Sequence, residues 1–373
     1  MQDISWEARL IGIKGARGAG KTTLLLQRIK GEWADLRQVL YVSLDDLWFA
    51  EHRLVDLADF FVKEGGRYLF LDEVHKYPDW SREIKNIYDD YPELYIVFTG
   101  SSLLEILNAR ADLSRRAVIY ELQGLSFREY LHFTQDKVFP RYTLDHIVSR
   151  HEEIAAEVVG ELKPLAYFGS YLESGYYPFF KEVPDLYGQR LAEVVNLILE
   201  VELPQLRKVD IAWIPKLKQL LLIIAESAPF KPNISALSAK IGINRETLLA
   251  YLHHLAESGL TRQLYKAGKG VSRLQKPDKI YLDNTNLAYV LPPSMPNIGT
   301  VRETYFANQL AYRHELSYPQ AGDFLVDQQY VFEVGGPGKQ EKQLRGMSGF
   351  LAIDRIELGY QKRIPLWLFG FLY

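Results

Sequence analysis

The first 165 residues predict a three-layer α/β domain built on a parallel sheet. Short apolar runs of strand length alternate there with longer stretches of helical composition, which is typical of parallel strands flanked by helices. A glycine-rich motif directly follows the first apolar run, and a helical stretch directly follows the motif. The predicted strands are Leu10–Lys14, Val39–Leu44, Tyr68–Asp72, Ile96–Thr99 and Val118–Leu122.

The glycine-rich motif is Gly-Ala-Arg-Gly-Ala-Gly-Lys-Thr at residues 15–22, and it matches the phosphate-loop pattern G-x-x-x-x-G-K-[ST]. Its glycines let the backbone curl so that successive N–H groups point at phosphate oxygens, and the dipole of the next helix adds to that attraction. We expect Lys21 to reach the β- and γ-phosphates and the Thr22 hydroxyl to bind Mg²⁺. The pattern therefore predicts a nucleoside triphosphate site. Its expected binding residues are Gly15, Gly18, Ala19, Gly20, Lys21, Thr22 and Thr23.

Polar side chains also follow the third and fourth predicted strands. Asp72 is placed to hold the Mg²⁺ shell, and Glu73 is placed to polarise the water that attacks the γ-phosphate. Thr99 and Ser101 end the next strand, and ligands gather at the carboxyl ends of parallel strands. One hypothesis is that either hydroxyl orients the attacking water. The other is that a serine caps the following helix, and the two roles are compatible.

Two adjacent arginines, Arg115 and Arg116, precede the fifth predicted strand. Their spacing alone favours a solvent-exposed face. The alternative is an arginine that reaches a γ-phosphate, either in this chain or in a neighbouring subunit.

The composition is that of a folded globular chain, with 373 residues of which 47% are hydrophobic and 24% are charged. This length predicts two or three domains. A net charge of −3 gives no overall attraction to nucleic acid, so nucleic-acid binding would need a local basic patch. The absence of cysteine excludes disulfides, thiolate zinc sites and cysteine nucleophiles. We expect a cytoplasmic protein, because the sequence shows neither a secretory signal pattern nor an apolar run of membrane-spanning length.

Beyond residue 165 the sequence is mostly helical to about residue 228, and a helix–turn–helix–hairpin pattern follows, which is the order of a winged helix. Its predicted elements are helices Ile234–Ile241 and Arg245–Ser258 and strands Leu260–Tyr265 and Lys279–Leu282. The second helix has mixed charge, whereas the hairpin loop is basic. The basic residues of this wing, 262–279, are Arg262, Lys266, Lys269, Arg273, Lys276 and Lys279. The wing either follows DNA phosphates without reading sequence or is an ordinary solvated loop, and both interpretations stay open.

Several motifs, in this order, resemble the AAA+ ATPases of bacteria and archaea that carry a winged helix and a restriction-endonuclease-like tail. They are Gly15–Thr22, Asp72-Glu73, Asp79-Trp80, Thr99-Gly100-Ser101 and Ser126-Phe127-Arg128-Glu129-Tyr130. The resemblance implies ATP and Mg²⁺ as cofactors, Lys21 as the Walker A lysine, and Asp72 with Glu73 as the Walker B pair. It also implies a sensor-1 group at Ser101 or Thr99 and an arginine finger at Arg116. The family's glycine before that arginine is replaced here by Arg115, and His75 stands where the family often has glutamine.

The resemblance implies a P-loop AAA+-like core at 1–165, a helical lid at 166–228, a winged helix at 229–292 and an endonuclease-like domain at 293–373. Active nucleases of this kind place Asp and then Glu-x-Lys around Mg²⁺. The candidate tail residues are Glu303, Asp323 and Glu333, but Gly335 stands at the lysine position and Lys339 comes four residues later. We therefore expect a tail kept for packing or binding rather than for cleavage. It is predicted to end in an apolar strand, 365–371.

Three functions are compatible with these features. The leading hypothesis is a Mg²⁺-dependent protein that binds and hydrolyses ATP and couples hydrolysis to a conformational change, with DNA as a candidate site of action. The second is an ATP-switched module that binds DNA or a protein with little turnover, and the third is an ATP-controlled nuclease. The candidate partners are ATP, DNA through the wing at 262–279, and a second copy of the chain.

Overall fold

The computed structural model describes residues 4–100, 113, 115–227, 229–266, 276–340 and 349–373. The chain divides into two compact units, Met1–Gly124 and Leu125–Tyr373. Within the described ranges, no helix combines the length and the apolar character that a membrane crossing needs.

The first unit is built on five parallel strands. They are β1 (Leu10–Gly15), β2 (Val39–Ser43), β3 (Tyr68–Asp72), β4 (Tyr95–Gly100) and β5 (Val118–Leu122). These bounds confirm the predicted parallel sheet, and each predicted strand end agrees to within one residue. The strand order is β2-β3-β4-β1-β5. Because β4 lies between β1 and β3, the carboxyl ends of these three strands are neighbours at one edge of the sheet.

Helices cover both faces of this sheet. They are α1 (Lys21–Glu32), α2 (Leu54–Lys63) and α3 (Trp80–Asp90). Leu69 and Leu71 of β3 belong to the same buried cluster as residues of α2 and α3, whereas Phe70 packs with residues of α1. Burying each such side chain contributes about 1.5–3 kcal/mol and fixes which face of β3 it occupies. Alternate strand residues share a face, so Asp72 lies on the same face as Phe70, the face that α1 covers.

Among its described residues, the second unit contains helices and two further sheets. Its helices are α4 (Phe127–Gln135), α5 (Leu144–Glu161), α6 (Leu165–Ser174), α7 (Tyr187–Leu197), α8 (Leu203–Arg207), α9 (Ile214–Ser227), α10 (Ile234–Ile241), α11 (Arg245–Glu257), α12 (Thr285–Val290) and α13 (Ile298–Ala311). Its strands are β6 (Thr261–Leu264), β7 (Lys279–Leu282), β8 (Leu316–Ser317), β9 (Phe324–Val326), β10 (Tyr330–Gly335), β11 (Gly349–Ile353) and β12 (Arg363–Pro365). Strands β6 and β7 form an antiparallel hairpin, and the larger sheet has the order β12-β11-β10-β9-β8.

The Ser-Phe-Arg-Glu-Tyr stretch at 126–130 is the start of α4. The Ser126 hydroxyl accepts a hydrogen bond from the Glu129 N–H at 3.2 Å, and the Glu129 carboxylate accepts one from the Ser126 N–H at 3.0 Å. This capping box satisfies N–H groups that a helix start leaves without partners. Phe127 and Tyr130 are buried in the main core of the second unit. Helices α4 and α5, which lie inside the predicted range 1–165, therefore pack with the second unit.

The prediction of a strand at 365–371 is wrong. Strand β12 ends at Pro365, and residues Leu366–Phe371 form a 3₁₀ helix. All six residues of that helix are buried. An uninterrupted apolar run has no polar positions that would show a period, so it does not distinguish a buried strand from a buried helical turn.

The buried histidine of α5 gives the second unit a predicted pH dependence. The His151 side chain is 4% exposed, and burial lowers its pKa below the ordinary value of 6.5. The unfolded chain therefore takes up a proton near pH 6.5 before the folded chain does, so the free energy of unfolding falls as the pH drops below about 6.5. The slope for one such group is at most about 1.4 kcal/mol per pH unit. We predict that His151→Leu reduces the difference in urea-unfolding free energy between pH 7.5 and pH 5.5.

The control is His132→Leu, since His132 is an exposed histidine of α4. It should leave the pH dependence at the wild-type value. An unchanged slope in His151→Leu would show that His151 is not the group responsible.

Candidate nucleotide-binding site

The phosphate loop joins β1 to α1, and its glycines are required by geometry. Gly18 and Gly20 have φ angles of +82° and +94°, in the left-handed region that side chains disfavour. At Gly15 the constraint is space, because a Cβ atom there would lie 2.4 Å from the carbonyl oxygen of Leu122 on β5. The loop backbone thus takes a path that only these glycines permit.

Lys21 opens α1 and its side chain is turned back onto the loop. It is 4% exposed, and its ammonium group donates hydrogen bonds to the carbonyl oxygens of Gly15 and Ala16, both at 3.0 Å. The positive charge therefore lies directly over the loop, where the N–H groups at a helix start also favour an anion. This arrangement suits a phosphate group, with oxygen atoms that would replace the two carbonyl acceptors.

Asp72, at the end of β3, is the most heavily hydrogen-bonded carboxylate of the site and is 2% exposed. One oxygen, Oδ2, accepts hydrogen bonds from the Thr22 hydroxyl at 2.6 Å and from the Tyr41 hydroxyl at 2.9 Å. The other, Oδ1, accepts from the Thr99 hydroxyl and from the Glu73 N–H, the latter at 3.1 Å. Burial and the neighbouring Asp72 raise the pKa of Tyr41 well above its usual range, so its hydroxyl is a donor at neutral pH.

These residues fit a Mg²⁺ ion. Thr22 and Asp72 supply a hydroxyl and a carboxylate oxygen that already lie 2.6 Å apart. Mg²⁺ in nucleotide sites is typically held by one or two protein oxygens together with phosphate oxygens and water, so no larger protein cage is required. Across the described ranges no group of three or more His, Cys, Asp or Glu side chains is arranged to hold a metal ion.

Glu73 follows directly after Asp72 in a strained backbone conformation. Its φ and ψ angles are +52° and +39°, a left-handed geometry that costs a non-glycine residue roughly 1–2 kcal/mol. Its carboxylate lies 3.4 Å from Nδ1 of His75. Burial lowers the pKa of His75 against the opposing effect of Glu73, so the imidazole is neutral at pH 7. The turn thus places His75 beside the Glu73 carboxylate.

The structure brings several of the predicted site residues together. The Thr99 and Thr22 hydroxyls both donate hydrogen bonds to the Asp72 carboxylate. Thr23 is exposed in the first turn of α1. Ser101, the other predicted sensor-1 residue, lies outside the described residues.

Tyr41 was missed by the sequence reasoning. Its signal is its position on β2, two residues before Ser43, which is aligned with Asp72.

Arg116 is not near the phosphate loop of its own chain. It precedes β5, at the amino ends of the strands, whereas the loop lies at their carboxyl ends. Its guanidinium group makes two hydrogen bonds of 2.8 Å to Asp89 at the end of α3 and holds the pKa of that carboxyl below its usual range. Within one chain, Arg116 is the partner of Asp89.

Two segments of the chain are similar to known domain families. Residues 7–131 match the family model of an AAA domain. The first unit is a P-loop domain, and over residues 7–131 it is similar to the AAA domain family. Beyond this P-loop domain, residues 166–295 match a domain of unknown function, DUF8612.

Relatives are found among archaeal proteins. Uncharacterized protein MJ1637 of Methanocaldococcus jannaschii is 27% identical over 391 residues, which cover 95% of this chain and 81% of the relative. Uncharacterized protein MJ1544 of the same organism is 22% identical over 262 residues, which cover 66% of this chain and 54% of the relative. A solved structure of the Walker-type ATPase PABY2304 of Pyrococcus abyssi is 12% identical with a TM-score of 0.41, covering 76% of this chain and 91% of that one.

Each of the three predicted tail carboxylates lies beside a lysine. Lys279 of β7 is 5% exposed and places its ammonium group 3.3 Å from Glu303 and 3.6 Å from Asp323. The fully buried Glu333 is paired with Lys339 at 2.7 Å. Lys339 therefore reaches the carboxylate despite the glycine at position 335. Each carboxylate already has a lysine counter-ion, and the described residues hold no metal-binding group of three such side chains.

Replacing Gly15 tests the close approach of β5 to the phosphate loop. We predict that Gly15→Ala lowers the free energy of unfolding of the nucleotide-free protein by about 1–3 kcal/mol, because its Cβ would overlap a rigid backbone carbonyl. The matched control is Gly31→Ala in α1, where a Cβ atom meets nothing within 4 Å. That change should stabilise the helix by about 0.5–1 kcal/mol. Urea unfolding measures both, and equal effects would contradict the prediction.

Removing the hairpin lysine tests the ion pairs of the tail. We predict that Lys279→Met destabilises the protein by about 3–5 kcal/mol, because it leaves buried carboxylates without their counter-ion. Adding Glu303→Gln should recover part of the loss. The control, Lys266→Met, removes a 68%-exposed lysine that lies 3.9 Å from Asp278 and should cost less than about 1 kcal/mol. Urea unfolding at pH 7 compares the variants, and a Lys279→Met loss as small as the control would refute the assignment.

Proposed function

We propose that the chain is a Mg²⁺-dependent ATPase that couples hydrolysis of ATP to a conformational change. The observation that carries the proposal is the convergence of the Thr22 and Thr99 hydroxyls on the buried Asp72 carboxylate, next to a lysine held over a glycine loop. Glu73 directly follows Asp72 in the chain and donates its backbone N–H to the same carboxylate. A phosphate loop alone binds a phosphate. A phosphate loop with an adjacent magnesium-type donor pair and a further carboxylate supports hydrolysis.

In the proposed mechanism the loop N–H groups and Lys21 bind the β- and γ-phosphates. The Lys21 ammonium leaves the carbonyl oxygens of Gly15 and Ala16 and donates to phosphate oxygens instead. Thr22 and Asp72 would hold Mg²⁺, which would supply positive charge to neutralise the phosphates. Preference for ATP over GTP follows from the resemblance to AAA+ ATPases and from the AAA family match.

Glu73 is the proposed general base. Its carboxylate takes a proton from water as the water oxygen forms a bond to the γ-phosphorus, and the bond from that phosphorus to the bridging oxygen breaks to release ADP and phosphate. Thr99 or Ser101 orients this water. Such proton transfer typically contributes a factor of about 10²–10⁴ to the rate.

Arg116 is proposed as an arginine finger for a neighbouring copy of the chain. The support is its location away from its own loop, in a surface ion pair with Asp89 that a second subunit's nucleotide could replace. The proposal requires a homo-oligomer.

Arg116→Ala should then lower turnover without weakening ATP binding, and unchanged turnover would remove Arg116 from the site.

The rest of the chain is proposed to comprise a lid at 166–228, a winged helix at 229–292 and an endonuclease-like fold at 293–373. Helices α10 and α11 followed by the β6–β7 hairpin support the second of these. DNA contact by the wing has less support, because Arg262 is paired with Asp283 at 2.7 Å and Lys279 is buried among carboxylates. Lys269 and Arg273 lie outside the described residues. Stimulation of ATP turnover by single- or double-stranded DNA would tie the wing to function.

The alternative is an ATP-switched binding module. It shares the nucleotide site but differs in turnover, so slow hydrolysis that DNA does not stimulate, with ATP-dependent capture of a partner, would favour it. A metal-dependent nuclease is not proposed, since the described residues include no group of three or more carboxylate or histidine side chains arranged to hold a metal ion.

Two substitutions separate nucleotide binding from hydrolysis. We predict that Lys21→Ala abolishes ATP binding, because the loop loses the cation that faces the phosphates. Glu73→Gln should keep ATP binding and lose turnover by about 10²-fold or more, because an amide does not accept the proton from water. Equilibrium binding of a fluorescent ATP analogue and steady-state phosphate release measure the two effects. Wild-type turnover by Glu73→Gln would remove Glu73 as the base.

A further inference from the structure

The Asp72 carboxylate has a hydrogen-bond partner that neither the phosphate loop nor the strand-end motifs supply. The Tyr41 hydroxyl donates to Oδ2 of Asp72 at 2.9 Å, and the Thr22 hydroxyl donates to the same oxygen at 2.6 Å. Tyr41 comes from β2, the strand at the edge of the sheet that pairs with β3. It therefore approaches the carboxylate from the side opposite to β4, which supplies Thr99.

We infer that Tyr41 is a positioning residue for the Asp72 carboxylate and sets the affinity of the site for Mg²⁺. This inference rests on the proposed function, because it assigns a role within the same metal site. Tyr41 does not touch the reacting atoms and acts only through Asp72.

The Tyr41 hydroxyl helps to fix the orientation of the Asp72 carboxylate. With two donors on each oxygen, the plane of the Asp72 carboxylate is fixed. The direction in which Oδ2 would face a metal ion that takes the place of the Thr22 hydrogen bond is therefore fixed as well. The carboxylate is only 2% exposed, so water does not readily replace a lost donor. Partners of this kind, which orient a metal ligand without touching the metal, typically change metal affinity or activity 10- to 100-fold when removed.

The register of β2 against β3 explains why a tyrosine serves here. Ser43 is aligned with Asp72, and Tyr41 is aligned with Phe70, on the same face but two residues further from the strand ends. A long aromatic side chain spans this diagonal distance between neighbouring strands. The serine directly opposite has a shorter side chain, and the described hydrogen bonds to Asp72 do not include it.

The test is Tyr41→Phe in the full chain, which removes one hydroxyl and keeps the ring. We expect the Mg²⁺ concentration for half-maximal ATP turnover to rise about 10-fold, with turnover at saturating Mg²⁺ largely restored. Binding of a fluorescent ATP analogue in EDTA should stay at the wild-type level, because the loop and Lys21 are unchanged. The matched control is Tyr68→Phe, at the far end of β3 from Asp72. It should leave the Mg²⁺ dependence unchanged.

Each result separates this inference from the proposed function. If the wild type hydrolyses ATP with Mg²⁺ but Tyr41→Phe has the same half-saturating Mg²⁺ concentration, or a lower one, the role of Tyr41 is overturned and the ATPase stands. The role of Tyr41 is also overturned if turnover by Tyr41→Phe stays low at saturating Mg²⁺ while its half-saturating Mg²⁺ concentration is unchanged. If the wild type itself shows no Mg²⁺-dependent turnover, the proposed function fails first, and the role of Tyr41 fails with it.

Discussion

The first unit depends on supplying hydrogen-bond donors to one carboxylate that is almost completely buried. Removing a carboxylate from water costs several kcal/mol unless hydrogen-bond donors replace the lost solvent. Asp72 meets this requirement with donors from the first turn of α1, from β2, from β4 and from its own next peptide group. The carboxylate has all four donors only when these segments are in place, so the hydrogen bonding of the site depends on the fold of the sheet.

The strand order makes that constraint possible. With β4 between β1 and β3, a hydroxyl at the end of β4 lies beside the carboxylate at the end of β3. The alternation of β3 places Leu71 towards α2 and α3 and leaves Asp72 on the face of α1. The glycine loop then turns the chain back so that Thr22 meets the same oxygen that Tyr41 contacts. Apolar burial thus decides the direction in which each polar group of the site points.

The second unit also contains buried carboxylates, but their partners are positively charged. Its buried carboxylates are neutralised by lysines rather than by neutral donors, with Lys279 beside Glu303 and Lys339 beside Glu333. Burial and the neighbouring Asp323 raise the pKa of Glu303, and Lys279 and Tyr281 oppose that shift. The donors around Asp72 are uncharged, whereas Lys279 and Lys339 each place a positive charge beside a carboxylate. Three acidic residues in a nuclease-like order therefore have a different chemistry here from that of Asp72.

The sequence predicted the groups that follow directly from a motif, and not the groups that support them. The five strands, the placement of Asp72 and the place of Thr99 beside it follow from a glycine loop and from polar residues at strand ends, because parallel strands bring those ends together. The run after Pro365 gave no period, so its helical turn was not predictable. Tyr41 and Lys279 were not predictable for another reason. Each acts on a carboxylate of a different strand or helix, through a register or a packing that the order of residues does not state. A motif thus identifies the side chains that face a ligand, while the side chains that orient them are found only when the neighbouring strands are in place.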